Sequence, residues 1–160
     1  MTKQEKDKEK LFADNRKAYH DYFIDETYEA GLALAGTEVK SIRKGKANLR
    51  DSYAAIVDGE CYLINAHISP YDQGNQFNHE PRRQRKLLLH KREINRLIGL
   101  TMQKGYTLVA LRLYQKRGKI KVALGLARGK KVHDKREAEA DKEAKRDIEQ
   151  AFRLRQKGEA

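Results

Sequence analysis

A tight chain reversal at Asp58-Gly59 constrains the fold of this sequence more than any other feature. Strand-like runs flank the pair at 53–57 and 60–68. The two central residues of a two-residue β-hairpin both need a positive φ, which Asp tolerates and Gly adopts freely. The pair therefore predicts two antiparallel strands, and with them a fold whose neighbouring strands are joined by short turns.

A second hairpin is predicted around Lys116-Arg117-Gly118, between strands at 106–114 and 119–127. Hydrophobic residues recur at every second position in both strands, which is typical of strands with one buried face. Each set is expected to line a single face. The sets are Thr107, Val109, Leu111 and Leu113 before the turn, and Ile120, Val122, Leu124 and Leu126 after it.

A long half-buried strand is predicted within residues 19–34. Gly31 is expected to mark a bend or bulge in this strand, which a closing barrel needs. One face would carry Tyr22, Ile24, Tyr28, Ala30, Leu32 and Leu34, and the other Phe23, Asp25, Thr27, Glu29 and Gly31.

Two helices are predicted between the strands. A short helix at 37–43 would show a basic face to solvent, and a main helix at 90–104 would end at Gly105. Residues 70–81 have the composition of a loop. The buried side of the main helix would consist of Ile94, Leu97, Ile98, Thr101 and Met102.

These elements predict a mainly β fold, an antiparallel OB-like barrel with one main helix and one short helix. A β-sandwich is the alternative, whereas a parallel α/β fold is disfavoured because strands and helices do not alternate regularly. We expect a flexible N-terminal arm at 1–14, the barrel at 15–128, and a basic joint with a C-terminal tail at 129–160. The tail is helix-prone, but its apolar stripe is too narrow to dock firmly, so it should be disordered when free and helical when bound.

The charge of the chain indicates an anionic partner. Its net charge is +12, and no acidic residue occurs between Ile94 and His133. Basic side chains neutralise phosphates, and the tyrosines between them can stack on bases. No helix-turn-helix, zinc-finger or basic-zipper pattern is present, which favours RNA over DNA. A membrane partner is not expected, because no apolar run is long enough to span a bilayer. The residues just upstream, Arg82, Arg83, Arg85, Lys86, Lys91 and Arg92, are expected to extend the basic surface.

Catalysis and metal binding find little support. The histidines are scattered and Cys61 is the single cysteine, so no spacing typical of a metal site occurs. Glu29 and Glu38 could form a carboxylate pair, but a nuclease would need more acids in a less basic setting. We therefore expect no enzyme, no metal and no cofactor. A single cysteine and the absence of a secretory signal predict a cytoplasmic protein.

Six motifs in order resemble those of the small protein B family, the SsrA-binding proteins of bacterial trans-translation. They are NRKAYHDY at 15–22, YEAGL at 28–32, GTEVKSIR at 36–43, RKLLL at 85–89, GLARGKK at 125–131 and HDKR at 133–136. The resemblance implies an OB-like barrel that binds the tRNA-like domain of transfer-messenger RNA (tmRNA) and is not an enzyme. It implies delivery of that RNA to the A site of a stalled 70S ribosome, with the tail in the empty message channel and contacts to small-subunit RNA.

The resemblance also implies two sets of contact residues. The first set would bind tmRNA, and the second would lie near the decoding centre of the ribosome, where His133 would stack on a base. The RNA-binding set is Asn15, His20, Glu29, Lys40, Arg43, Lys86, Leu88 and His90. The decoding-centre set is Gly129, Lys130, Lys131, His133, Asp134, Lys135 and Arg136.

Two other functions fit the same basic barrel. A ribosomal or ribosome-assembly protein would bind ribosomal RNA stably and need no separate RNA. A general single-strand-binding module would prefer unstructured oligonucleotides and stack their bases on exposed aromatics. The RNA that accompanies the native protein distinguishes the three.

Overall fold

A computed structural model describes residues 9–72, 78–102, 105–130 and 132–158. Its backbone packing divides the chain into two units, Met1–Gly129 and Lys130–Ala160. The strands are β1 (Lys10–Asp14), β2 (Tyr22–Leu32), β3 (Ala47–Asn48), β4 (Tyr53–Val57), β5 (Glu60–Ile64), β6 (His67–Ile68), β7 (Arg85–Leu88), β8 (Tyr106–Lys116) and β9 (Lys119–Gly129). The helices are α1 (Arg16–Asp21), α2 (Gly36–Arg43), α3 (Lys91–Thr101) and α4 (Val132–Gly158).

The first unit is an antiparallel barrel, as predicted. Strands pair in the order β8-β4-β5-β7-β2-β9, and β9 also pairs with β8, which closes the ring. Every pair in the ring is antiparallel. Strand β1 adds to β8 beyond the stretch that pairs with β4, and β3 with β6 forms a small separate ladder. Closure removes the free edges that an open sheet would leave.

Both predicted hairpins are present. The turn between β4 and β5 has φ values of 52° at Asp58 and 76° at Gly59, and the turn between β8 and β9 has 51° at Arg117 and 76° at Gly118. Two consecutive positive φ angles are the signature of the turn that matches the twist of a hairpin. The second hairpin is longer than expected, since β9 continues to Gly129.

The barrel interior is filled by aliphatic side chains from all six strands. The prediction for β9 is confirmed, because Ile120, Val122, Leu124 and Leu126 all belong to this core. A second, smaller cluster lies on the opposite side of β8 and β9 and is covered by α1. It contains Ala18, Val109, Leu111, Tyr114, Ala123 and Ala127, with Tyr22 and Ile24 packed against it.

Two bulges explain why single faces were wrongly predicted for β2 and β8. In β2 the register to β9 shifts between Ile24 and Glu26, so Asp25 is an extra residue. As a result Ile24 packs in the small cluster while Tyr28 packs in the barrel core. The bulge therefore lies at Asp25 and not at Gly31. In β8 the shift between Ala110 and Arg112 likewise sends Leu111 and Leu113 to different cores.

The N-terminal segment departs from the predicted flexible arm. Residues 1–8 lie outside the described part, but Lys10–Asp14 forms β1 and pairs with β8. The arm prediction is wrong for these residues because their backbone hydrogen bonds are satisfied by β8, and Phe12 and Ala13 pack against the core. The next residues form helix α1 rather than the start of the predicted long strand.

The other helices follow the predictions closely. Helix α2 begins one residue before the expected start. Helix α3 ends at Thr101, with Leu97 fully buried, whereas Met102 is 82% exposed and was wrongly assigned to its buried side. Residues 132–158 form helix α4, and disorder of the free tail stays a prediction. Within the described segments, no helix is both long and apolar enough to cross a membrane.

Candidate nucleic-acid interface

The outer face of β2, β7 and β9 brings several predicted RNA-binding residues together. Gly31 pairs with Leu88 on one side and with Lys121 on the other. Because side chains alternate along strands, Glu29 shares the outward face of β2 with Gly31, and Lys86 shares that of β7 with Leu88. Leu88 is 54% exposed although it is aliphatic. An exposed leucine on a strand surrounded by cations indicates a contact surface rather than a core position.

A groove of about 330 Å³ runs along this face. Its lining combines aliphatic side chains with three cationic ones. Aliphatic side chains suit the face of an unpaired base or a ribose, and the cations suit the phosphates on either side. The groove is lined by Gly31, Leu32, Leu34, Val39, Arg43, Leu88, Gly118, Lys119, Ile120 and Lys121.

A second concavity of about 290 Å³ shares Lys119 and Lys121 with the groove. Four cations and one carboxylate line it: Glu29, Lys116, Arg117, Lys119 and Lys121. At the hairpin tip Lys116 and Lys119 are direct partners in the β8–β9 ladder. Like charges placed opposite each other repel, so this end of the hairpin is suited to a polyanion.

Glu29 is held in the second concavity by its neighbours. Its Oε2 accepts a hydrogen bond of 2.6 Å from the Tyr114 hydroxyl and one of 3.3 Å from Lys116 Nζ. The Tyr114 hydrogen bond is the main reason that the pKa of Glu29 lies below its ordinary value, with Lys116 and Lys121 acting in the same direction against partial burial. The ionised carboxylate therefore orients Lys116, and it can accept hydrogen bonds from base or ribose donors.

Helix α2 contributes the cations on one side of the groove. Lys40 and Arg43 are both exposed, and Arg43 lines the groove directly. The Tyr71 ring lies between two lysines, with Lys40 Nζ at 5.3 Å and Lys44 Nζ at 4.9 Å from its centroid. These cation–π contacts hold the lysine side chains against the ring.

A buried ion pair holds α2 against β7. Glu38 is fully buried, and its Oε1 accepts a hydrogen bond of 2.5 Å from Arg83 Nη2 while its Oε2 accepts one from Arg85 Nε. Arg85 also donates to the carbonyl oxygens of Ala66 and Pro81 at 2.9 and 3.1 Å. Burial acts to raise the pKa of Glu38, but the Arg83, Ala35 and Arg85 hydrogen bonds outweigh it, so the pKa is lowered.

This ion pair corrects two expectations from the sequence. Arg85 is not part of the basic surface, because its side chain is fully buried and bound to Glu38. Glu38 and Glu29 do not act as a carboxylate pair, since each is bound to different cations. The pairing of Glu38 with Arg85 could not be predicted from the sequence, because the two residues are 47 positions apart.

Asn15 lies inside the fold rather than on its surface. Its Nδ2 donates to the carbonyl oxygens of Leu49 and Ala110 at 3.1 and 2.8 Å, and its Oδ1 accepts from the Ala18 N–H at the start of α1. At 5% exposure the side chain is buried, but it borders a cavity of about 340 Å³ that Lys17 and Tyr53 also line. Its hydrogen bonds anchor α1, and its role as a contact residue stays a prediction.

The remaining predicted RNA-binding residues lie outside both concavities. His20 is in α1, where its Nδ1 is 3.1 Å from Asp21 Oδ1. Lys86 pairs with Glu60 at 3.0 Å. His90 is the N-cap of α3 and is exposed. Their roles in RNA binding stay predictions.

The predicted decoding-centre residues fall at the boundary of the two units. Gly129 is the last residue of β9 and pairs with Tyr22, and Lys130 follows it. Lys131 lies outside the described residues. Residues His133, Asp134 and Lys135 belong to the first turns of α4, and Arg136 in the same helix is exposed. Their contact with a ribosome stays a prediction.

Three lysines that the family motifs did not predict line the two concavities: Lys116, Lys119 and Lys121. All three lie in the acid-free run, and the signal that distinguishes them is their spacing. Lys119 and Lys121 alternate with the core residues Ile120 and Val122, so the strand must point them outward. Among the described residues, no group of three or more His, Cys, Asp or Glu side chains is arranged to hold a metal ion.

Comparisons with known proteins agree with this picture. The family model described as SmpB protein matches residues 12–154. The SsrA-binding protein of Geobacillus kaustophilus is 64% identical over 148 residues, covering 92% of this chain and 96% of the relative. That of Clostridium novyi is 63% identical over 155 residues, covering 97% and 98%.

A solved structure is similar as well. It is described as "tmRNA-SmpB: a journey to the center of the bacterial ribosome", and one of its chains is 59% identical with a TM-score of 0.63. The match covers 74% of this chain and 84% of that chain.

Proposed function

The chain belongs to the SmpB protein family, and on that premise we propose that it binds tmRNA and brings it to stalled ribosomes in trans-translation. The resemblance found in the sequence motifs is thereby confirmed at the level of the family. The relatives are SsrA-binding proteins, and the similar solved structure combines tmRNA, SmpB and the bacterial ribosome. The chain covers nearly the whole length of these relatives, so the function of the whole protein applies to it.

The observation that carries the RNA-binding part is the groove beside Leu88. It combines aliphatic side chains with Arg43, Lys119 and Lys121. The adjoining concavity extends the positive surface to the tip of the β8–β9 hairpin. Binding there would use stacking or apolar contact for the base and charge for the backbone, which is how proteins recognise unpaired nucleotides in folded RNA. We assign the tRNA-like domain of tmRNA to this face.

The second unit has a different task in this proposal. Gly129–Arg136 would contact the decoding centre in the A site, and α4 would occupy the message channel downstream of it. A message fills that channel in a translating ribosome, so occupancy by α4 would distinguish stalled ribosomes. The protein would work by binding alone, without catalysis, in the cytoplasm.

The RNA that accompanies the native protein tests the proposal. We expect tmRNA to be recovered with the wild-type protein and to be lost from a Leu88→Asp, Lys121→Gln double variant. The matched control is Lys46→Gln, which removes a lysine that lies outside both concavities and pairs with Asp72. Recovery of ribosomal RNA alone would instead support a ribosomal or ribosome-assembly protein, and capture of unstructured RNA would support a general single-strand-binding module.

A further inference from the structure

Four side chains join β2 to β9 at the end of the barrel where β9 stops. Arg128 Nε donates to Asp25 Oδ2 at 2.9 Å and Arg128 Nη2 donates to Asp25 Oδ1 at 3.2 Å. The Arg128 guanidinium carbon also lies 5.5 Å from the centroid of the Phe23 ring. Arg128 is the main reason that the pKa of Asp25 lies below its ordinary value, and the nearby Tyr106 hydroxyl acts in the same direction. We call Phe23, Asp25, Tyr106 and Arg128 the β9 clamp.

The ladders on either side of β9 bring the clamp residues together. Phe23 and Tyr106 both pair with Arg128 in these ladders. Asp25 lies two residues after Phe23, so alternation along the strand places both side chains on the face of β2 that meets Arg128. Asp25 is also the extra residue of the bulge, with Ile24 paired to Ala127 and Glu26 to Leu126, so it has no ladder partner of its own.

The contacts of the clamp fix both the position and the orientation of the Arg128 guanidinium group. A bidentate arginine–carboxylate pair restrains the guanidinium plane through two parallel hydrogen bonds, and an aromatic ring restrains it further. A lysine at position 128 would keep the charge but lose both restraints. The clamp acts immediately before Gly129, whose partner Tyr22 is the first residue of β2. Arg128, the residue before Gly129, is therefore held from both neighbouring strands, and Gly129 itself is held by β2.

We propose that the β9 clamp is a positioning device that fixes the end of β9, so that the chain beyond Gly129 starts from one defined point. Asp25 and Arg128 are positioning residues in this assignment. The inference rests on the proposed function, in which the barrel binds tmRNA and the residues after Gly129 act on the ribosome. If the clamp is damaged, we expect the action on the ribosome to be impaired while tmRNA binding is kept, because the groove beside Leu88 is built by other side chains.

The test uses the full chain and two measurements. One is the affinity for purified tmRNA, and the other is the rate of peptide tagging at saturating protein on ribosomes stalled on a message without a stop codon. For Asp25→Asn we expect tmRNA affinity to change by no more than about twofold, since an exposed pair adds little stability. We expect the tagging rate to fall by about tenfold, because small misplacements of a contact are costly.

Two further variants separate positioning from a general structural role. Asp25→Glu keeps a carboxylate for Arg128 and should restore much of the tagging rate. Glu26→Gln is the matched control, because it breaks an ion pair from the next residue of β2, but to Arg96 of α3 rather than to the end of β9. It should leave tagging unchanged. Hydrogen exchange at the Gly129 amide should accelerate in Asp25→Asn and not in Glu26→Gln.

The following results would contradict a positioning role for the clamp. Unchanged tagging in Asp25→Asn would show that the clamp is not needed. A parallel loss of tmRNA affinity and tagging, or an equal loss in Glu26→Gln, would show that the clamp serves only the stability of the barrel. Failure of the wild-type protein to bind tmRNA would instead overturn the proposed function, so the two failures are distinguishable.

Discussion

Gly31 faces Leu88 across the β2–β7 ladder so closely that a Cβ added to Gly31 would lie 3.1 Å from the Cβ of Leu88. Gly31→Ala should therefore shift Leu88 by a few tenths of an ångström in the groove. We expect tmRNA affinity to fall about tenfold, which corresponds to about 1.4 kcal/mol. Overpacking of the buried Gly31 position against the half-exposed Leu88 should lower the free energy of unfolding by about 1 kcal/mol. Gel-shift titration and urea denaturation measure the two effects.

A second glycine supplies the control for this prediction. Gly99 lies within α3, and a Cβ added there would meet open space. Gly99→Ala should keep full RNA affinity and raise the free energy of unfolding by about 0.5–1 kcal/mol, because alanine favours a helix. If Gly31→Ala also binds tmRNA normally, the ladder position of Leu88 is not part of the interface.

Lys121 is expected to neutralise a phosphate in the bound complex. Lys121→Gln should weaken tmRNA binding and reduce the slope of log affinity against log salt concentration by about one. Affinity measured at several salt concentrations checks the slope. Lys46→Gln should leave it unchanged, and an unchanged slope in Lys121→Gln would place this lysine outside the contact.

Glu38 should make stability depend on acid pH. Its folded-state pKa lies below the ordinary value of 4.5, so the ionised carboxylate stabilises the fold above pH 4.5, and this contribution is lost as the pH falls through the lower folded value. Glu38→Gln leaves Arg85 buried without its anion and should lower the free energy of unfolding by about 3 kcal/mol at neutral pH. Urea denaturation from pH 7 to pH 3 should show the gap between wild type and variant narrowing below pH 4.5. A gap that is constant with pH would contradict this role.

Removal of the second unit should separate RNA binding from tagging. A chain that ends at Gly129 keeps the barrel core and both concavities, so its tmRNA affinity should stay close to that of the full chain. Tagging of stalled peptides should be abolished. A large loss of tmRNA affinity would show that the residues after Gly129 take part in RNA binding.

The isolated peptide of residues 130–160 tests the folding of the tail. The described side chains of α4 are exposed, including Ile148 at 69%, and most helical stability in proteins comes from the packing of one helix face, which these side chains lack. Circular dichroism should show a largely unfolded peptide in buffer and helix after addition of trifluoroethanol. A stable helix in buffer would contradict coupled folding and binding.

Local chemistry accounts for what could be predicted from the sequence. Both hairpins were found because Asp58-Gly59 and Arg117-Gly118 carry their turn preference within two residues. The family motifs and the acid-free run predicted part of the proposed RNA face. The bulge at Asp25 was missed because an extra residue is defined only against the register of the partner strand.

Most of the other differences between prediction and structure involve residues whose contacts in the fold are distant in the sequence. Arg85 was predicted to lie on the basic surface, but in the fold it is buried and forms an ion pair with Glu38. Asn15 was predicted as a contact residue, and the fold adds a structural role, since its amide is bound to Leu49 and Ala110. Lys119 and Lys121 were present in the predicted strand pattern, and only the shared concavities gave them a role.

The opposed lysines at the tip of the β8–β9 hairpin give ionic strength two effects, one on the free protein and one on RNA binding. Lys116 and Lys119 repel each other in the free protein. Dissolved salt screens that repulsion, and it screens the Lys116–Glu29 ion pair as well. The same salt competes with phosphates for these lysines and lowers the affinity for RNA. At this hairpin tip, therefore, the ions that relieve the repulsion in the free protein also take the place of its RNA.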